Sequence, residues 1–190
     1  MATPSSLSTV SDIDTAKGLL RDGFGRVREG VAELTTGLTD ETARWRPDAE
    51  ANSISWLLWH LSRVQDDHVA AVAGAEQVWP RYRDKAALPL DPDDTGYGHT
   101  PDQVGLVRVS ADFLDRYQAD VHAATLAYLE ALTEAELGRI VDDRWDPPVT
   151  AAVRLVSVID DCAKHLGQAD YVRGLADRRN AAWHQPEAGR

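Results

Sequence analysis

Three residues in this chain have the types and the spacing to hold a metal ion. Asp161 and His165 stand four apart in Asp161-Cys162-Ala163-Lys164-His165. Each residue of a helix turns about 100°, so positions four apart stack on one face, about 6 Å from each other. A carboxylate and an imidazole so placed can reach one divalent cation, as paired ligands do on the helices of bundle metal sites. His60 lies in Trp56-Leu57-Leu58-Trp59-His60, among heavy apolar side chains. If its helix packs beside the one carrying Asp161, two imidazoles and a carboxylate converge. Such a set suits Zn²⁺, Ni²⁺ or Fe²⁺ and leaves a coordination position open for water or substrate. Plainer alternatives stand beside this one. An Asp–His pair at that spacing can be a surface pair worth about 0.3 kcal/mol, and a histidine among aromatic residues can belong to the core.

The residues around these three take roles from helical phase. With the apolar stripe centred on Cys162, the positions Arg154, Asp161, His165 and Gln168 share one inward edge. Arg154 is expected to pair with Asp161 or with an acidic substrate. Gln168 is expected to orient a ligand, and Gly167 to permit close helix packing. His68 stands eight residues from His60, about 12 Å of rise, too far to share a metal with it. It reads as lining a pocket or the core. Asp66 and Asp67 read as solvated or as supporting the ligands from behind. Cys162 falls on the stripe and reads as a small buried hydrophobe, not a nucleophile. His99, His122 and His184 show no partner pattern. No Ser-His-Asp signature, phosphate-cradling glycine loop or dinucleotide fingerprint is present. Beyond the three ligands, the reactive group would be a water or a substrate group held by the cation.

Four long amphipathic helices must position these groups. The first is predicted over 12–35, with Leu20, Phe24, Val27, Val31 and Leu34 at three- and four-residue steps. Its glycines Gly18, Gly23, Gly25 and Gly30 each cost about 1 kcal/mol against Ala, so packing must hold it. A loop, 37–51, contains Trp45-Arg46-Pro47. The second helix opens at Asn52 or Ser53 and runs to about Gly74. An irregular stretch, 75–99, has the length of a lid. Thr100-Pro101 caps a short helix to about Val107. Ser110 caps the third long helix, and Thr150 caps the fourth, which is run to about Leu175. No segment shows sustained strand alternation. The pattern reads as an all-α four-helix bundle over 12–176, with a long crossover loop between the second and third long helices. A loose lead-in, 1–11, and a polar tail, 177–190, flank it; Trp183 could pack back from the tail.

Composition bounds the partners. The chain has 190 residues and a formal net charge of −11, which disfavours nucleic acid and anionic membrane surfaces. No run approaches the roughly 18 apolar residues of a membrane helix, and the start carries no export signal. One cysteine excludes an internal disulfide framework and a cysteine-rich zinc site. A hydrophobic content of 43% with six Trp excludes a largely disordered chain. The expectation is one cytoplasmic domain acting on a small molecule. Exposed Trp and Leu on long helices would need cover, which favours a homodimer.

Two stretches resemble motifs of the DinB/YfiT-like superfamily. Asn52-Ser53-Ile54-Ser55-Trp56-Leu57-Leu58-Trp59-His60-Leu61 resembles its second-helix motif. Asp161-Cys162-Ala163-Lys164-His165-Leu166-Gly167-Gln168 resembles its fourth-helix motif, commonly His-x-x-x-His-x-Gly-Gln. Gly37-Leu38-Thr39-Asp40-Glu41 with Trp45-Arg46-Pro47 is similar to a further segment of that group. Trp145-Asp146-Pro147-Pro148-Val149-Thr150 and Tyr171-Val172-Arg173-Gly174 resemble an actinobacterial branch of it, and 17 Arg against 3 Lys fit such an origin. The resemblance spans residues 12–176. It implies a four-helix bundle with a divalent metal on His60, Asp161 and His165. The chain departs from the motif at Asp161, where the family usually has His; the related mycothiol-dependent maleylpyruvate isomerases place a carboxylate there. The resemblance also implies metal-dependent chemistry, with mycothiol as thiol cosubstrate of an S-transferase acting on a small electrophile. The alternatives are a metal-dependent hydrolase and a non-catalytic small-molecule-binding bundle that has lost its metal.

Overall fold

A computed structural model describes residues 11–183, with side chains as far as Ala181. Residues 1–10, His184, the packing of Trp183 and the end of the expected tail lie outside the described residues. Four long helices form the bundle: α1 (Asp12–Thr35), α3 (Ile54–Ala73), α6 (Ala111–Ala131) and α8 (Ala151–Trp183). Short helices α2 (Asp40–Arg44), α4 (Pro80–Ala86), α5 (Pro101–Val104) and α7 (Glu134–Gly138) occupy the connections. The all-α bundle with its long 75–109 crossover is as the sequence predicts.

Local chemistry sets the helix starts. Ser11, Thr39, Ser53, Thr100, Ser110 and Thr133 each accept a backbone N–H from the first turn of the helix that follows. Thr150 does the same for α8, taking the N–H of Val153 at 3.3 Å.

Side-chain contacts give the directions of the helices. Ser55 and Arg63 on α3 meet Val109 and Tyr117 beside and on α6 in the same order, so α3 and α6 run parallel. Lys17 and Arg28 of α1 reach Glu130 and Asp115 of α6, an antiparallel pair. Gly23 and Gly30 of α1 lie against Ile159 and Leu166 of α8 in step, a parallel pair. At these two glycines an added Cβ would come within 2.8 Å and 2.5 Å of those side chains. The close approach of α1 to α8 is therefore made by Gly23 and Gly30. It is not made by Gly167, around which a Cβ would meet nothing within 4 Å.

The connections and the last helix differ from expectation in several places. α2 and α4 are helical where loops were expected, and α5 stops at Val104. Ile140–Asp142 and Val149–Thr150 form a small antiparallel sheet, β1 and β2, with an irregularity that strict alternation does not reveal. α8 continues to Trp183, past the expected end near Leu175. Among the described residues no helix is long and apolar enough to cross a membrane.

The 75–99 stretch is clamped rather than free. Asp66, expected to be solvated or to support the ligands, is buried and does neither: its carboxylate accepts Val78 N at 2.8 Å, Trp79 N at 2.7 Å and Tyr117 OH at 2.8 Å. Arg63, wholly buried, lies 3.6 Å from Asp66 and donates to Asp94 O, Gln77 Oε1 and Tyr117 OH. Burial drives the Tyr117 phenol well above its usual pKa, so it serves as a neutral donor. Asp66→Ala leaves Arg63 without its counter-charge and two buried N–H groups without an acceptor. The expected loss is about 3–5 kcal/mol in urea unfolding, and an effect under about 1 kcal/mol would show that the clamp is dispensable.

Candidate metal centre

α3 and α8 pack antiparallel, and the Cys162 thiol donates to Leu61 O at 3.4 Å where they cross. Burial, with the Asp161 charge beside it, pushes that thiol far above its ordinary pKa, so Cys162 is the core residue its stripe position implies. The positions just before the crossing, His60 and Asp161, turn to a shared edge. His165 joins them one turn along α8. Ligand atoms of the three lie within 4.8 Å of one another. His165 Nε2 is 3.8 Å from Asp161 Oδ1, and the two imidazole rings meet edge to face at 4.6 Å.

Each imidazole is oriented from behind. His60 Nδ1 is 2.6 Å from the Thr95 carbonyl. A carbonyl only accepts, so Nδ1 carries the proton and Nε2 keeps its lone pair. Trp56 stacks on the His60 ring at 4.6 Å. Burial lowers the His60 pKa, against the Thr95 hydrogen bond, and so favours the neutral, ligating form. His165 Nδ1 lies 3.3 Å from Gln168 Oε1, which likewise assigns its proton and leaves Nε2 free.

The Thr95 carbonyl is itself fixed. Gly96 has φ +91°, and a Cβ there would lie 2.8 Å from His60 Nδ1 and 2.9 Å from the Trp59 ring. Asp94 accepts Gly96 N at 2.7 Å and His99 Nε2 at 2.8 Å. His99 Nδ1 accepts the Trp56 indole N–H at 3.0 Å. The ring that stacks on His60 is thus held by the same loop that binds its Nδ1. His99 showed no partner pattern in the sequence because its partners are a tryptophan 43 residues away and a loop aspartate. A main-chain carbonyl such as that of Thr95 leaves no residue-type signal.

Asp161 supplies the test of fit. Its Oδ2 is buried and accepts no hydrogen bond, although the side chain as a whole is 41% exposed. Two imidazole lone pairs and a carboxylate therefore converge, and none of them can donate to another. Acceptors gathered in that way are satisfied by a cation. The donor set, two nitrogens and one oxygen, fits a borderline divalent metal.

The remaining predicted residues lie further along the same seam. Arg154 pairs with Asp142 Oδ2 at 3.0 Å, not with Asp161, because β1 brings Asp142 within reach. Asp67 accepts Gln77 Nε2 at 2.8 Å. His68, half-buried, has its pKa lowered by burial, against the charge of Asp67. These three line a cleft of about 660 Å³ with Arg139, Asp142 and Arg144. The three candidate ligands and Gln168 are brought together; Arg154, His68 and Asp67 form a neighbouring group.

Residues 19–178 match the mycothiol-S-transferase family. The chain belongs to that family, whose fold is DinB-like. No curated protein matches it. A solved structure described as a conserved protein from Enterococcus faecalis superposes with a TM-score of 0.78 at 36% identity. The match covers 84% of this chain and 95% of that one. The sequence resemblance to the DinB/YfiT-like superfamily is borne out by these matches.

Two outcomes test the centre. The wild type should bind one equivalent of Zn²⁺ in titration, and His60→Ala and His165→Ala should each abolish tight binding; equal stoichiometry in all three would remove the ligand assignment. Gly96→Ala should weaken Zn²⁺ binding about 10–100-fold in competition with a chromophoric chelator, since it displaces the group orienting His60.

Proposed function

We propose that this protein is a metal-dependent thiol S-transferase, using mycothiol or a similar low-molecular-weight thiol to attack a small electrophile. The observation that carries this reading is the gathering of His60, Asp161 and His165 ligand atoms within 4.8 Å of one another, with Asp161 Oδ2 left without a donor, in a member of the mycothiol-S-transferase family. His60, Asp161 and His165 would hold the metal. A divalent metal there would supply Lewis acidity that favours the thiolate form of a thiol at neutral pH.

The chain's own residues do the rest. Thr95 and Gln168 keep both Nδ1 protons directed away from the centre, so both Nε2 atoms stay available. Trp56, buried and stacked on His60, walls one side against water. Asp161 contributes a negative charge that offsets that of a dication. Transfer forms a carbon–sulfur bond and breaks a carbon–halogen or epoxide carbon–oxygen bond. The thiol proton passes to solvent or to the opened oxygen. Cys162 takes no part, being buried and held as a thiol.

Thiol consumption with epoxide or chloro-aromatic acceptors should require Zn²⁺, Ni²⁺ or Fe²⁺ and vanish on chelation and in His165→Ala. No consumption by the metal-loaded wild type with any of these would overturn the assignment. Hydrolysis of an ester or amide by the same preparation would favour the hydrolase alternative. Cys162 should resist iodoacetamide in the folded chain at mildly alkaline pH and react once denatured; rapid native alkylation would reopen it as a nucleophile.

A further inference from the structure

We propose that the cleft beside the centre binds a carboxylate carried by the substrate pair, with Arg154 as the recognising residue. This rests on the thiol-transfer reading for its catalytic readout but not for its binding readout.

Position comes first. His68 lies eight residues beyond His60 on α3, and Arg154 lies seven before Asp161 on α8. Because the helices are antiparallel, both displacements point the same way along the seam, by about 10–12 Å of rise. Half-buried Val64 and exposed Ser157 lie between the cleft and the ligand cluster. A substrate with its reacting atom at the cluster and a polar head in the cleft would lie along one continuous seam.

Charge and hydrogen bonding then select the head group. The Asp142 carboxylate is buried and chelated by Arg144, whose Nε and Nη2 donate at 2.9 Å each. These bonds, with the backbone N–H of Arg144 and the nearby Arg154, hold its pKa far below the ordinary carboxylate range. Two guanidiniums share this one carboxylate, leaving one positive charge in excess at that point. Arg154 is 22% exposed and donates one hydrogen bond, to Asp142. Its other four N–H donors find no protein acceptor among the described residues. A guanidinium held from one side with donors to spare is the partner a planar carboxylate takes in a fork. Asp67 and Asp143 also face the cleft. Asp67 is engaged by Gln77, and Asp143 is exposed to solvent. Their charges oppose an anion elsewhere in the cleft, so it would have to dock on Arg154 itself. The chain carries a net charge of −11, so its overall field repels acids and a local fork is needed to retain one.

The carboxylate could sit on the thiol or on the electrophile, and the test separates the two. Succinate, titrated calorimetrically into the metal-chelated wild type, should bind, while dimethyl succinate should not. Arg154→Gln should lose roughly 10–100-fold in succinate affinity. Arg154→Lys, which keeps the charge and the Asp142 pair but not the fork, should fall between; it carries the test if the Gln variant does not fold. No succinate binding to the wild type, or equal binding to all variants, overturns the proposal. In turnover, an epoxide bearing a carboxylate is compared with its methyl ester, and 3-mercaptopropionate with its methyl ester. An acid preference expressed in KM on one arm, and lost in Arg154→Gln, assigns the carboxylate to that substrate. Preference on neither arm overturns the proposal. If no thiol is consumed at all, the transferase reading fails and the succinate titration still decides the cleft.

Discussion

Two neighbouring helices that run in the same direction can be joined only by a chain segment that travels back the length of the bundle. α3 and α6 are such a pair, and residues 74–110 are that segment. A connection of this length carries many backbone polar groups, and those it buries need partners. Arg63 and Asp66, side by side on α3, meet much of that demand, taking the main-chain groups of Val78, Trp79 and Asp94. Once the segment is tied down at both points, Thr95 is delivered to His60 and His99 to Trp56. The topology of the bundle and the orientation of its candidate metal ligand are therefore one constraint. A crossover that was free to swing could not assign the His60 proton.

The buried ionic pair also shows where this connection is anchored, at Val78, Trp79 and Asp94. Its length alone suggests a movable cover. Length says how much chain must be spanned, however, and not how it is held. Cation–π contact of Arg63 with Trp79, and Trp79 packing on Trp59 and Tyr117, add apolar weight to the same clamp. Releasing those anchors would expose a guanidinium's partners and several aromatic faces at once.

What the sequence discloses follows from how local each cause is. Helix spans were legible because their apolar periods and Ser or Thr caps lie within one element, as at Ser53 and Ser110. The ligand triad was legible because helical phase alone sets Asp161 over His165, and one packing assumption adds His60. Arg154 meets Asp142 rather than Asp161 because Asp142 arrives on a strand three residues long that no periodicity could announce. Gly167 was given the packing role of Gly23 and Gly30 because a glycine's use depends on the facing helix. Asp66 was read as solvated or as supporting the ligands because an acidic pair such as Asp66-Asp67 gives no hint of the two backbone N–H groups, 12 and 13 residues on, that meet the first of them.

Asp161 is the position at which the chain departs from the histidine usual in the motif, and the departure has a physical consequence. Three neutral imidazoles can coexist without a metal at modest cost, since each can find water or a neighbouring acceptor. A carboxylate oxygen that is itself buried without a donor has no such partner, and a cation would supply one. The short side chain reaches the two imidazoles because α3 and α8 approach closely at Cys162 and Leu61, so the usual objection to aspartate, its length, does not apply here. Substituting aspartate therefore makes the empty centre less comfortable than a three-histidine centre would be, and it ties metal binding more firmly to the stability of the α3–α8 seam. The same substitution lowers the net charge of a loaded centre by one. That makes the centre a weaker attractor of anions by itself, so under the proposed carboxylate recognition the work of holding an acidic substrate would fall outward along the seam, to the guanidinium of Arg154.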